Sequence, residues 1–154
     1  AVMNVIFSPD DRVLAIGTYD GKIFIYDTEE YLEINVLEGH EDQITNMVFT
    51  NDCKKLVSTS IDQTIRVWDL ETGKEILRFG ENEGYSRSVA ISLDDTLLIS
   101  GHDGYICIWD FSSGKLLYKI EGHTDFIRSV YFIDNGKKIL SGSGDGTIRI
   151  WGIP

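Results

Sequence analysis

Ser58-Thr59-Ser60-Ile61-Asp62-Gln63-Thr64-Ile65-Arg66-Val67-Trp68-Asp69 is the stretch whose reading decides the fold. An aspartate, Asp62, stands six residues before an aromatic, Trp68, which a second aspartate, Asp69, follows. The same spacing returns as Asp20 to Tyr26-Asp27, Asp103 to Trp109-Asp110 and Asp145 to Trp151-Gly152. Successive aromatics lie 42, 41 and 42 residues apart. A period near 40 is the signature of a repeat architecture, in which each unit buries its faces only by stacking on its neighbours. Function is therefore to be sought on the surface that the assembled units share.

Outward from that stretch, each repeat reads as short strands parted by turn residues. In the second repeat, strands are expected at Ile44 to Thr50, Lys55 to Ser60, Thr64 to Asp69 and Glu75 to Phe79. The fourth repeats them at Ile127 to Ile133, Lys138 to Gly142 and Thr147 to Trp151. Val, Ile, Phe, Tyr and Trp fill these runs, as half-buried pleated surfaces require. No stretch keeps a 3.6-residue period long enough for a helix. Each unit is thus a four-stranded antiparallel meander, a to d. The outer strands d fall at Glu33 to Leu37, Glu75 to Phe79 and Leu116 to Ile120. The 154 residues divide at about 1–38, 39–80, 81–121 and 122–154, the last unit lacking its outer strand.

With Gly39-His40 and Gly122-His123 ahead of strand a, the four turn aspartates and the aromatic-Asp pairs closing strand c, the chain resembles the WD-repeat β-propeller family over essentially its whole length. The resemblance implies an all-β propeller of four-stranded antiparallel blades, four of them here, forming a partial ring or half of a larger one. It also implies a hydrogen-bonded tetrad in each blade: a His before strand a, a hydroxyl in strand b, the turn Asp and the strand-c Trp. Two tetrads are complete, His40-Ser58-Asp62-Trp68 and His123-Ser141-Asp145-Trp151. The third repeat keeps Ser100, Asp103 and Trp109, but has Asn82 where His belongs and is one residue short between strands b and c. The first has Ile16 and Tyr26 at the Ser and Trp places. The sequence of a Gly-His blade, a blade without it and another Gly-His blade also loosely resembles Groucho/Tup-type corepressor propellers, through Glu81-Asn82-Glu83-Gly84 and the run Ser88 to Ser92.

Composition bounds the chemistry. Lys and Arg number 14 against 25 Asp and Glu, a net charge of -11, so no basic stripe for direct nucleic-acid binding is expected. Basic peptides or protein surfaces are the favoured partners. Two cysteines, Cys53 and Cys107, make no disulfide framework and suit a reducing compartment. With no apolar run of membrane length, no membrane role and a cytoplasmic or nuclear location are expected.

Catalytic readings compete poorly. The His, Ser and Asp trio occurs twice at equal spacing, with the hydroxyl directed at an indole, and no nucleophile elbow precedes a helix. Gly142, Gly144 and Gly146 match neither the dinucleotide fingerprint nor the P-loop and suit a tight turn. The scattered His and Cys suggest no metal site. No catalytic residue, metal or cofactor is therefore expected.

Strand alternation sorts the loops. The d–a and b–c connections emerge on one face, which gathers Glu38, Glu41, Asp42, Glu81, Glu83 and Asp125, whereas Lys54, Lys74, Lys115 and Lys137 lie on the other. Tyr19, Ile61 and His102 directly precede the turn aspartates, and Gln43, Tyr85 and Phe126 stand at the entrance of strand a. With Asp42 and Asp125 they make the candidate partner-binding set, since exposed aromatics commonly anchor interfaces. Arg87 and Arg128, two residues further in, either pair with neighbouring carboxylates or project toward the channel. The expected function is a scaffold that binds a protein or peptide on this face; an enzyme acting through the central channel is the alternative. Four units leave bare edges, so the chain is expected to be an excerpt of a longer polypeptide, to close an eight-bladed ring with a second copy, or to close alone with strand exchange.

Overall fold

The computed structural model describes residues 1–153, and these contain fourteen strands and no helix. The first sheet is β1 (Val2–Phe7), β2 (Val13–Thr18), β3 (Ile23–Asp27) and β4 (Glu33–Leu37), in that order. The second is β5 (Ile44–Phe49), β6 (Lys55–Ser60), β7 (Ile65–Asp69) and β8 (Lys74–Phe79). The third and fourth units join as β9 (Ser88–Ile91), β10 (Leu97–Gly101), β11 (Asp103–Asp110), β12 (Lys115–Ile133), β13 (Lys138–Ser143) and β14 (Ile148–Gly152). All pairings are antiparallel.

The turns follow from local hydrogen bonding. Between strands a and b, the hydroxyls of Ser8, Thr50 and Ser92 donate to Asp10, Asp52 and Asp94, each at 2.6 Å. Between c and d, Asp27 accepts the Glu29 and Glu30 amides at 2.8 Å, Asp69 the Thr72 amide at 2.8 Å and Asp110 the Ser113 amide at 2.9 Å. The aspartate that follows the strand-c aromatic in the first three units is thus a turn-former satisfying the amides ahead of it. In strand a the register slips by one residue at Met3, Thr45 and Arg128. These are matching places, so the bulge is a repeated feature.

Where two separate strands were expected at Leu116 to Ile120 and Ile127 to Ile133, β12 runs unbroken. It pairs with β11 as far as Asp103 opposite Phe126, then with β13 from Ile127 opposite Ser143. The short b–c turn of the third unit brings Asp103 beside Phe126 and holds the d–a connection extended.

Three apolar cores lie between successive sheets. Ala15, Ile23 and Ile25 meet Ile44, Met47, Phe49 and Trp68; Val57, Ile65 and Val67 meet Val89, Leu98 and Trp109; Ile99, Ile106 and Ile108 meet Ile127, Val130 and Ile139. The end sheets lack this cover. Val5 and Phe7 are 51% and 58% exposed, although Met47 and Phe49 at the same places of the second unit are buried. Ile148 and Ile150 are 76% and 64% exposed, whereas Ile65 and Val67 are each 2% exposed. The four units therefore form an open arc with an apolar face bare at each end. Covering what remains exposed of any one of these side chains is worth about 1–2 kcal/mol.

Candidate protein-binding face

In the second unit, four side chains form a directional relay. The Trp68 indole N–H donates to Ser58 Oγ at 2.8 Å, Ser58 to His40 Nε2 at 2.8 Å, and His40 Nδ1 to Asp62 Oδ2 at 2.7 Å. Asp62 also accepts the Glu41 and Thr64 amides at 3.0 and 2.8 Å and the Thr64 hydroxyl at 2.7 Å. One carboxylate thereby ties the d–a loop to the b–c turn. Burial resists its ionisation, but the bonds from His40 and Thr64 outweigh burial and hold Asp62 well below the usual carboxylate range. The fourth unit repeats the relay through Trp151, Ser141, His123 and Asp145 at 2.7, 2.8 and 2.7 Å. Hydrogen bonding, led by the Thr147 hydroxyl, likewise lowers the Asp145 carboxyl.

Turn glycines lock neighbouring units to these loops. A Cβ on Gly21, at φ +81°, would lie 2.4 Å from the His40 carbonyl oxygen, and one on Gly104 would lie 2.8 Å from that of His123. Only glycine fits both the left-handed backbone and the gap.

The third unit departs from the expected pattern, and His102 is the correction. It is 2% exposed and not part of the surface. Its Nε2 lies 2.8 Å from Ser100 Oγ, which accepts the Trp109 indole N–H at 2.8 Å. The missing turn residue places His102 opposite where Ile61 would suggest: two residues beyond Ser100, just past the end of β10, it continues that strand's alternation and falls on the same face. It supplies the imidazole that Asn82 cannot. Asp103 is exposed and makes no side-chain hydrogen bond among the described residues, so no carboxylate closes this relay, and His102 Nδ1 is left buried without a partner. Instead His102 stacks on Tyr105 with centroids 5.1 Å apart, the Tyr105 hydroxyl donates to the Glu83 carbonyl at 2.6 Å, and Glu83 pairs with Lys119 at 3.1 Å. At the place of Arg66 and Arg149 stands Cys107, whose thiol burial pushes up to about 12, an inert sulfur.

Burial also lowers the His102 pKa to about 4. The unfolded chain, with an ordinary value near 6.5, then binds more protons than the fold between those two values. Stability from this residue is complete above about pH 6.5 and is lost as pH falls toward 4, by about 3 kcal/mol. Urea unfolding of His102→Gln is expected to show a flatter profile than the parent across that window. Parallel profiles would contradict the assignment.

The candidate residues settle differently on the face. Tyr19 is 59% exposed at the b–c tip of the first unit. Ile61 is half-buried and donates its amide to the Gln43 carbonyl at 2.9 Å, joining the b–c turn to the strand-a entrance. Asp42 and Asp125 turn back to accept the amides of Gln43 and Phe126, each at 2.7 Å. Tyr85 and Phe126, from adjacent units, stack with centroids 5.5 Å apart and planes 28° apart. Sequence reasoning did not foresee that Arg87 covers this pair; its place beside two aromatic entrances was the available signal. The acidic scatter is partly answered internally, by Lys22 on Glu38 at 2.6 Å, Arg78 on Glu81 at 2.8 Å and Lys119 on Glu83. Among the described residues, Glu41, Asp42 and Asp125 keep no ion pair. No helix is long and apolar enough to cross a membrane.

A family profile described as WD domain, G-beta repeat matches residues 1–27, 32–69, 73–110 and 114–152. These segments are one strand out of phase with the sheets: each of the last three opens on or beside strand d of one unit and ends on strand c of the next. Autophagy-related protein 16 of Arabidopsis thaliana is 27% identical over 154 residues, covering 97% of this chain and 30% of the relative. WD repeat-containing protein 55 homolog of Aedes aegypti is 29% identical over 157 residues, covering 99% and 33%. Transcription factor unc-37 of Caenorhabditis elegans is 26% identical over 147 residues, covering 96% and 24%. The chain spans a third or less of the length of these relatives.

Proposed function

This chain belongs to the WD-domain, G-beta-repeat family, and on that premise we propose that it is a non-catalytic scaffold whose d–a and b–c loops receive a protein or peptide partner. The observation that carries this reading is the stacked Tyr85–Phe126 pair, half-buried at the entrance of two strands. Two rings held against each other, with Asp125 next to Phe126 in the chain, present a rigid apolar anchor, the composition of a binding hot spot rather than of a solvated loop. The relays serve it by fixing the loops on either side. Glu41, Asp42 and Asp125 favour basic residues on the partner. The inner positions Asn46, Ser88 and Ser129 are small and polar, which supports a wet groove more than catalysis through the channel. Further blades of a longer polypeptide, or a second copy, cover the bare end faces. The proposed location is cytoplasmic or nuclear. A second reading, a platform in transcriptional control, draws on the relative that is a transcription factor.

In a pull-down with the full-length protein, Tyr85→Ala combined with Phe126→Ala is expected to weaken partner binding by about tenfold or more, as loss of an aromatic anchor does. Undiminished binding of every partner would reject this face.

A further inference from the structure

Arg87 on this face is held by two aromatic rings and by no carboxylate. Arg87 stands at the strand-a place that is the bulge residue in the other units, Met3, Thr45 and Arg128, and bulges re-aim side chains. Its guanidinium carbon lies 4.5 Å from the Phe126 ring centroid and 5.3 Å from that of Tyr85. Its Nη2 donates to the Tyr85 hydroxyl at 3.1 Å. Its Nε is buried with no acceptor, while Nη1 has no protein partner and is not buried. Like Arg128 at the matching place, it makes no ion pair among the described residues, but its guanidinium alone is braced by two rings. A guanidinium offers five N–H donors in a planar fork, and here the protein answers one. Unanswered buried donors are costly, so the arrangement favours an acceptor from outside. The two rings hold the fork in place, which suits a planar acceptor able to take two parallel bonds.

We propose that Arg87, braced by Tyr85 and Phe126, is a carboxylate-recognition subsite that takes an Asp or Glu side chain of a bound peptide. The inference rests on the binding face described under Proposed function and refines its partner: an acidic centre with basic flanks, the flanks lying against Glu41, Asp42 and Asp125. Rim carboxylates repel an incoming anion, but screening over about 8 Å at physiological salt and the partner's own cations offset this. A uniformly acidic partner is rejected by the net charge of -11, which makes the recognition selective.

The test uses the full-length protein and two labelled peptides, Lys-Lys-Leu-X-Leu-Lys-Lys with X as Asp or Asn, followed by fluorescence anisotropy. The Asp peptide is expected to bind about tenfold tighter or more, the worth of a charged hydrogen-bonded pair. Arg87→Gln is expected to erase that preference, and Arg87→Lys to keep part of it by restoring charge without the fork. Because the comparison between peptides is made first on the unaltered protein, it does not depend on a variant folding. Equal affinities there, or a preference that persists in Arg87→Gln, overturns the subsite while leaving the face intact. Failure of both peptides to bind overturns the subsite as well, while the face itself stands or falls with the Tyr85→Ala, Phe126→Ala pull-down.

Discussion

Trp68→Ala is expected to destabilise the protein by about 3–5 kcal/mol, the usual cost of emptying a large aromatic site in a core. The indole is 2% exposed, sits in the core between the first two sheets and donates to Ser58. Truncation opens a cavity and also leaves the Ser58 hydroxyl short of a donor. Trp151 makes the same bond to Ser141 but is only half-buried, at the open end of the arc. Trp151→Ala should therefore cost less, about half as much if burial scales with exposed area. Paired urea-unfolding curves decide it. Equal losses would show that the relay, not packing, carries the indole's contribution.

The second large effect is expected at Asp62. Asp62→Ala removes the acceptor for His40 Nδ1, the Glu41 amide and the Thr64 amide and hydroxyl together. His40 and Thr64 are buried, so their donors are left without water. Breaking such a buried network costs about 3–4 kcal/mol. The matching change in the third unit, Asp103→Ala, touches an exposed carboxylate with no hydrogen-bonding partner and should fall within about 0.5 kcal/mol of the parent. The pH sense of Asp62 follows from its lowered pKa. Its contribution is present above the unfolded value near 3.9 and is lost as pH falls through the lower folded value. Acid unfolding below about pH 4 should thus be gentler in Asp62→Ala than in the parent, from a lower starting stability. A similar loss at Asp62 and Asp103 would contradict the unequal roles assigned to them.

What was readable in the residues had a local cause. Strands, turns and the absence of helix follow from period-two apolar runs and from side chains such as Asp10, Asp52 and Asp69 that hydrogen-bond a few residues away. The two Gly-His units were readable too, because His40 to Asp62 and His123 to Asp145 share a spacing that a meander brings into register. The third unit was not. Counting back from the turn aspartate put His102 at a loop tip, equivalent to Ile61. Counting forward from Ser100 puts it on the buried side shared with that hydroxyl, and with one residue fewer in the turn the two counts disagree. Burial decided for the second. Charge was misjudged for a related reason: Lys22 lies in a b–c turn and reaches Glu38 from an adjoining loop, so the face is less uniformly acidic than its d–a loops suggest.

Periodic spacing, read along a single line of letters, was enough to establish blades, their order and the hydrogen-bonding groups that recur in each. Those features depend on neighbours within one meander, whose geometry is dictated by strand alternation and turn chemistry. Contacts between blades needed coordinates. The stacking of Tyr85 on Phe126, the unanswered guanidinium of Arg87 and the bare Val5–Phe7 and Ile148–Ile150 faces depend on how far each sheet twists and how closely the next one packs. That spacing is set by side-chain volume across three separate cores, and no period in the chain records it.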